Sequence, residues 1–250
     1  MTAQSQTIRF DEIHMEKTGA SWRQYCQTGS IVAWVLLAYS LATMMILVVI
    51  GVQPATAQEG FRMLQENRLI GLLRLDVLSI LVMPLYYVLF LSLYAALKRT
   101  GGAVVSLATL LVFAGVTLFL ATPSAFSWLS LSDKFAVASS AAEKAQLLAA
   151  GEAILTSDMW HGSGALIGGI LLQTGTLLVS IAMLWSKGFG KLTAWVGIVT
   201  HGLDLLHIPL EMLFPGMGNP LMAVAGPLYL VWFPLVAYRF FKLGQGTPAE

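Results

Sequence analysis

The chain has 250 residues, of which 57% are hydrophobic and 11% are charged. Soluble globular domains carry roughly 25% charged residues, so this composition excludes an ordinary water-soluble protein and indicates a membrane protein. The net charge of +1 comes without the clustered basic residues that nucleic-acid binding requires, which excludes DNA and RNA as partners.

Six apolar segments follow a polar arm, residues 1–30, that we predict to be cytoplasmic. The first segment, 31–52, contains no charged residue. It is long enough to cross a hydrocarbon core of about 30 Å at 1.5 Å per residue. The six predicted transmembrane spans are approximately 31–52, 77–97, 103–121, 162–186, 192–213 and 221–238.

The connections between these spans carry recognisable signals. Pro84 lies inside the second span and predicts a kink, because proline removes one backbone donor. The run from Lys98 to Gly102 predicts a tight turn between the second and third spans. The long connection 122–159 is rich in helix-forming residues, so we expect one or two short helices on the outer membrane surface. Glycines spaced through the fourth span predict close packing at the centre of the bundle.

The basic residues of the short connections define the orientation. The N-terminal arm, the turns at Lys98 and Lys187, and the C-terminal end with Arg239 carry them on one side. Cytoplasmic loops are enriched in Lys and Arg. We therefore expect an all-α, six-helix domain over residues 31–242, with both termini in the cytoplasm and a short tail at 243–250. The expected location is the bacterial inner membrane.

The fifth span contains the most unusual stretch, with four ionisable residues in an apolar helix: His201, Asp204, His207 and Glu211. From the cytoplasmic end at Lys191, the helical rise places them about 15, 20, 24 and 30 Å deep. Asp204, His207 and Glu211 fall within about 60° of one another, and His201 lies about 60° to one side. A charge at the centre of a membrane helix costs about 2.5–3.5 kcal/mol and indicates a functional site.

Neighbouring spans are expected to add to this site. The fourth span runs antiparallel to the fifth, which places His161 and Asp158 at the height of His207 and Glu211. Asp76 marks the outer entrance of the second span. We predict an outward-opening polar pocket between the fourth and fifth helices, with these ligand-binding candidates: His161, Asp204, His207, Glu211, Asp76 and His201.

Three functions fit such a pocket. The favoured one is the binding of a small or lipid-like ligand, with its transport as a stronger form of that hypothesis. The second is a metal-dependent membrane hydrolase, in which His161, Asp204 and His207 bind zinc and Glu211 is the general base. The third is a structural or accessory subunit, in an oligomer or a larger membrane complex, whose polar groups satisfy one another. A haem between His161 and His207 is a further alternative to zinc.

Three short motifs carry a resemblance to a known group of proteins. They are the segment from Asn67 to Leu73 that leads to Asp76, the run His161-Gly-Ser-Gly-Ala-Leu-Ile-Gly168, and Asp204 in the fifth span. Together they resemble a bacterial family of six-helix integral membrane proteins catalogued as a domain of unknown function. The resemblance implies the six-helix fold and a pairing of His161 with Asp204. It implies no activity and no cofactor.

Overall fold

The computed structural model describes residues 3–122, 124–157 and 162–246, with side chains from Ser21 onward. No β-strand occurs in these ranges, which confirms the predicted all-α class. Their ten α-helices are α1 (Ala3–Met45), α2 (Ala57–Glu66), α3 (Arg68–Arg74), α4 (Val77–Val82), α5 (Leu85–Leu120), α6 (Ala125–Val137), α7 (Ala141–Leu155), α8 (Ser163–Met183), α9 (Lys191–Leu213) and α10 (Asn219–Gln245). A π-helical turn, Ile46–Ile50, extends α1.

Five helical segments of the described ranges are long and apolar enough to cross a membrane. The mean hydropathy of their most apolar stretch falls from 2.5 in the segment containing α5 to 1.2 in α9. These helices agree with the multi-pass membrane protein that the composition predicts. The five segments are Ser21–Ile50, Leu85–Val137, Ser163–Met183, Lys191–Leu213 and Asn219–Gln245.

The predicted N-terminal arm and first span form one helix, α1, where we expected an arm that ends before residue 31. No proline interrupts residues 3–45, so the helix propagates through the polar sequence into the apolar one. The part of α1 around Trp22 packs on α10, where Trp22 Nε1 donates to the Leu243 carbonyl at 3.3 Å. Cys26 is fully buried in the same interface, against Gly244.

Helix α5 reverses direction at Gly102, which has a φ of 47° and a ψ of −124°. The Tyr87 hydroxyl and Thr117 Oγ1, at equal sequence distances from Gly102, are 2.7 Å apart. In a straight helix these residues would be about 45 Å apart. Glycine adopts this positive φ without a Cβ penalty, so the turn predicted at Lys98 to Gly102 becomes a helical hairpin.

Helix α8 is the most buried of the five candidate spans, with half of its most apolar stretch inside the bundle. Glycines bring its backbone against α5. A Cβ at Gly115 would lie 2.6 Å from the Gly168 carbonyl oxygen, and one at Gly175 would lie 2.5 Å from that of Ala108. This close contact of backbones explains why small residues recur along the fourth span.

Helices α2, α6 and α7 form a second, smaller core, which we name the cap. Phe61 and Trp128 are its largest fully buried side chains, and their ring centroids lie 5.6 Å apart. The expected helices between residues 122 and 159 thus pack on the connection that follows the first span. Residues 123, 158 and 159 of that connection lie outside the described residues.

Arg74 links the cap to the end of α1 and its π-helical extension. Its guanidinium donates to the Val52 carbonyl at 2.6 Å and forms an ion pair with Glu59 at 3.2 Å. The backbone N–H of Ala55 also donates to Glu59, at 3.0 Å. The hydrogen bond from Ala55 lowers the pKa of the Glu59 carboxyl most, and the guanidinium of Arg74 lowers it further. Together they hold this pKa below its usual value. We name these three contacts the Arg74 brace.

Candidate functional site

One face of α9 is polar along most of its length. Its buried residues include Thr193, Gly197, Thr200, His201 and Asp204, which recur every three or four positions and so share a face. That face points into the bundle, toward α8 and α10. The low hydropathy of α9 therefore results from side chains that face protein, away from lipid.

Asp204 is the centre of a hydrogen-bonded group on this face. Its carboxyl is buried, with 8% of the residue exposed. Oδ2 accepts two hydrogen bonds, from Gln173 Nε2 at 2.6 Å and from the Tyr229 hydroxyl at 2.5 Å. Helices α8, α9 and α10 each supply one of these residues, so the carboxylate holds three helices in register.

Gln173 connects Asp204 to His201. Because Nε2 of the amide points at the carboxylate, Oε1 points the other way and lies 2.8 Å from His201 Nδ1. An amide oxygen only accepts, so Nδ1 carries a proton and is the donor of this hydrogen bond. This assignment follows from the hydrogen-bond geometry. We name Gln173, His201, Asp204 and Tyr229 the Asp204 cluster.

Aromatic side chains enclose the imidazole of His201, which is 1% exposed. The ring centroid of His201 is 4.7 Å from that of Trp232 and 5.3 Å from that of Tyr229, and both pairs meet edge to face. His201 Nε2 and Trp232 Nε1 are buried and have no hydrogen-bond partner among the described residues. One of these atoms thus belongs to a residue of the cluster, and the other lies on the α10 side chain that packs against it.

The remaining predicted residues of α9 lie outside this cluster. His207 Nδ1 is 3.8 Å from Asp204 Oδ1, too far for a hydrogen bond, and is otherwise unpaired among the described residues. Glu211 accepts from the backbone N–H groups of Gly216 at 2.8 Å and Gly218 at 3.0 Å. Its carboxylate therefore closes the turn after α9, while its role as a general base stays a prediction.

Asp76, which we predicted at the outer entrance of the second span, is buried by neighbouring protein, and its position along the membrane normal stays a prediction. It is 6% exposed, adopts a left-handed φ of 49°, and accepts from the Tyr39 hydroxyl at 2.9 Å. Asp tolerates this backbone conformation better than most residues. The left-handed turn separates α3 from α4 and directs the carboxyl toward α1. Asp76 is therefore a second buried carboxylate, separate from the Asp204 cluster.

The predicted partners from the start of the fourth span, His161 and Asp158, lie outside the described residues. Among the described residues, no three His, Cys, Asp or Glu side chains come close enough to hold a metal ion. Asp204 and His207 bring one carboxylate and one imidazole near each other. The zinc site with His161 as a third ligand stays a prediction.

Two residues of the cluster, Gln173 and Tyr229, did not stand out in the sequence. Each is a single polar residue in an apolar helix and belongs to no motif. Gln173 could have been found from its spacing, since Gln173, Thr176 and Ser180 share the buried face of α8. A phenol such as Tyr229 is common in membrane helices and gives no comparable signal.

No protein-family model matches this chain, and neither a curated protein nor a solved structure does. The resemblance to a six-helix bacterial family thus stays a prediction. It rests on the motifs at Asn67, His161 and Asp204.

Proposed function

We propose that the chain crosses the bacterial inner membrane six times, with both termini in the cytoplasm. The hairpin at Gly102 supports this number, because the two arms of α5 run antiparallel and each has the length of a span. The basic residues at Lys98, Lys187 and Arg239 support the orientation, since all three would lie on the cytoplasmic side.

We further propose that the Asp204 cluster binds a small polar or lipid-like ligand, with transport of that ligand as the stronger form of the proposal. The observation that carries it is the asymmetry of the Asp204 carboxylate. Oδ2 is held by two short hydrogen bonds, whereas Oδ1 accepts no hydrogen bond from the described residues and lies 3.8 Å from His207 Nδ1. A carboxylate with one oxygen fixed and one available is suited to receive a donor group.

His207 indicates the direction from which a ligand would reach Asp204. Its side chain is 24% exposed, against 11% for that of Asp204, and it lies further toward the outer end of α9. A ligand with a hydroxyl, amine or amide group would donate to Oδ1 and could also pair with His207 Nδ1. Its apolar part would remain among the membrane helices, which favours lipid-like compounds.

Mass spectrometry of the small molecules extracted from the purified protein tests this proposal. We expect a compound that the wild-type chain and Asp133→Asn both retain. The same compound should be depleted at least about tenfold in Asp204→Asn, which corresponds to a loss of about 1.4 kcal/mol in binding free energy. Asp133 is a matched control, because its carboxylate pairs with Arg68 in the exposed cap. Equal recovery from all three proteins would contradict the proposal.

A further inference from the structure

Helices α8, α9 and α10 bring no lysine or arginine close to Asp204. Helix α8 contains neither residue type. The only one in α9 is Lys191, about 20 Å before Asp204 along the helix. In α10 the nearest is Arg239, about 15 Å beyond Tyr229. Among the described residues, the one ion-pair contact of Asp204 is with the imidazole of His207.

The Asp204 carboxyl is bound in the way that an anion is bound. Both partners of Oδ2 donate to it, Gln173 Nε2 at 2.6 Å and the Tyr229 hydroxyl at 2.5 Å. The side chain is only 11% exposed, so water replaces little of the solvation that burial removes. A buried charge is costly unless it is both paired and hydrogen-bonded. The cluster supplies the hydrogen bonds, and a cation at Oδ1 would supply the pairing.

Oδ1 of Asp204 and Nδ1 of His207 are two atoms that one donor group can bridge. They lie 3.8 Å apart, and neither has a hydrogen-bond partner among the described residues. A nitrogen placed between them can lie about 2.9 Å from each, an ordinary hydrogen-bond distance. When the imidazole proton is on Nε2, His207 Nδ1 offers a lone pair. The two atoms then form a site for a group that donates twice.

We propose that the ligand of the Asp204 cluster is a primary ammonium cation with an apolar tail. This inference rests on the proposed ligand binding and names the class of compound that binds. One N–H of the ammonium group donates to Asp204 Oδ1 and a second donates to His207 Nδ1. Its charge compensates that of the carboxylate, and hydrogen bonds assisted by charge are roughly twice as strong as neutral ones.

Other head groups satisfy these two atoms less well. A hydroxyl donates one hydrogen bond and brings no charge, and a primary amide donates two but also brings no charge. A quaternary ammonium brings the charge without an N–H to donate. A carboxylate or phosphate would place a second negative charge beside Asp204, and like charges repel strongly where the dielectric constant is low. The primary ammonium supplies both the charge and the two donors.

The surface of α9 around His207 suits an apolar tail. Leu206 is 56% exposed and Met212 is 60% exposed, so apolar side chains face outward on both sides of His207 along the helix. In a membrane such a face contacts lipid. The side chain of His207 is more exposed than that of Asp204, at 24% against 11%. A tail attached to the bridging nitrogen would therefore pass His207 and extend into the bilayer.

Three compounds with six carbon atoms and different head groups test the proposal: hexylamine, hexan-1-ol and hexanoate. Titration of the purified chain in detergent, followed by tryptophan fluorescence, compares their affinities. Trp232 is a suitable reporter, because its ring centroid lies 4.7 Å from that of His201 in the cluster. A primary alkylamine resembles the end of a lysine side chain, with a pKa of about 10.4, so hexylamine is a cation at about pH 8.

We expect hexylamine to bind the wild-type chain at least about tenfold more tightly than hexan-1-ol, the difference between a charged and a neutral hydrogen bond. Hexanoate should not bind. Asp204→Asn keeps an oxygen acceptor and removes the charge, so the preference for hexylamine should disappear. Asp133→Asn makes the same substitution in the exposed cap and should keep the preference.

His207→Leu gives a second test, should Asp204→Asn unfold. Its Nδ1 has no hydrogen bond to lose among the described residues, so the bundle should tolerate the change. The variant should bind hexylamine roughly threefold to tenfold more weakly, the effect of one hydrogen bond.

Equal affinities of the wild-type chain for hexylamine and hexan-1-ol would overturn the ammonium inference. A preference for hexylamine that persists in folded Asp204→Asn, or unaltered hexylamine binding by folded His207→Leu, would overturn it as well. These results are separable from ligand binding itself. A neutral co-purified compound that is depleted in Asp204→Asn would uphold ligand binding and contradict the ammonium class.

Discussion

A single amide at Gln173 joins an acid to a base in the middle of the bundle. Its two ends contact Asp204 and His201, and its residue is 9% exposed. Removing the amide would leave the buried Nδ1–H of His201 without its 2.8 Å acceptor, while Asp204 Oδ2 would keep only the hydrogen bond from the Tyr229 hydroxyl. The cost of such an unpaired group exceeds the gain from forming an ordinary hydrogen bond.

We predict that Gln173→Leu destabilises the folded chain by about 1–3 kcal/mol, the usual cost of leaving a buried polar group unpaired. Chemical unfolding in detergent micelles, followed by tryptophan fluorescence, measures this change. Gln24→Leu is the control, because Gln24 is exposed on α1, and it should change stability by less than about 0.5 kcal/mol. Equal stability of the two variants would show that Gln173 does not hold the cluster together.

For individual residues, the sequence predicted that Asp204 is unusual but did not predict which side chains bind it. Asp204 stands out because a charge in an apolar helix is costly wherever the helix packs. Which side chains satisfy it depends on the rotation and depth of α8 and α10, and the sequence does not specify either. His207, the nearest candidate by spacing, lies 3.8 Å away, while Gln173 and Tyr229 make the bonds.

The packing of α5 on α8 depends on positions where a side chain cannot fit. At Gly115 an added Cβ would meet the Gly168 carbonyl and the Leu172 amide nitrogen, each at 2.6 Å. Both are backbone atoms that cannot rotate away. At Gly202 of α9 an added Cβ would meet nothing within 4 Å. These two glycines form a matched pair, one at a tight interface and one in open space.

We expect Gly115→Ala to destabilise the bundle by about 1–3 kcal/mol, because the two helices must separate to admit the methyl group. Gly202→Ala should be neutral or stabilising by up to about 1 kcal/mol, the helix-propensity difference. Thermal unfolding of the purified proteins in one detergent compares them. If Gly115→Ala unfolds at the wild-type temperature, the result would contradict the close backbone contact between α5 and α8 at this position.

Single elements were easier to predict than their junctions. Apolar length predicted the membrane helices, and paired glycines predicted the turn at Gly102. The continuation of α1 through the polar arm was missed, because a polar helix and a polar coil can have the same composition. The cap was predicted only in part, since the contact of α2 with α6 joins segments that are far apart in sequence.

The path of the whole chain through the membrane can be tested with introduced cysteines. We expect a membrane-impermeant maleimide added outside intact cells to label Gln146→Cys in the cap and Met217→Cys after α9. Thr100→Cys beside the hairpin turn and Lys187→Cys should be protected until the cells are lysed. All four positions are exposed. Labelling of Thr100→Cys from outside would contradict the six-crossing arrangement.

The attachment of the cap is expected to weaken in acid. The pKa of Glu59 is lowered in the folded chain, so its stabilising contribution is complete above its unfolded pKa. That contribution is lost as the pH falls through the lower, folded value. Hydrogen exchange of α2 amides should therefore accelerate at low pH in the wild type, and a Glu59→Gln variant should lack this dependence. Unchanged exchange in the wild type would show that the Arg74 brace does not hold the cap.

The seam between α1 and α10 contains the only thiol of the chain, Cys26, which is fully buried against Gly244. A thiol in this place reacts only when the two helices move apart. The rate at which a small maleimide modifies Cys26 of the unaltered protein therefore measures how often α1 and α10 separate, without any substitution.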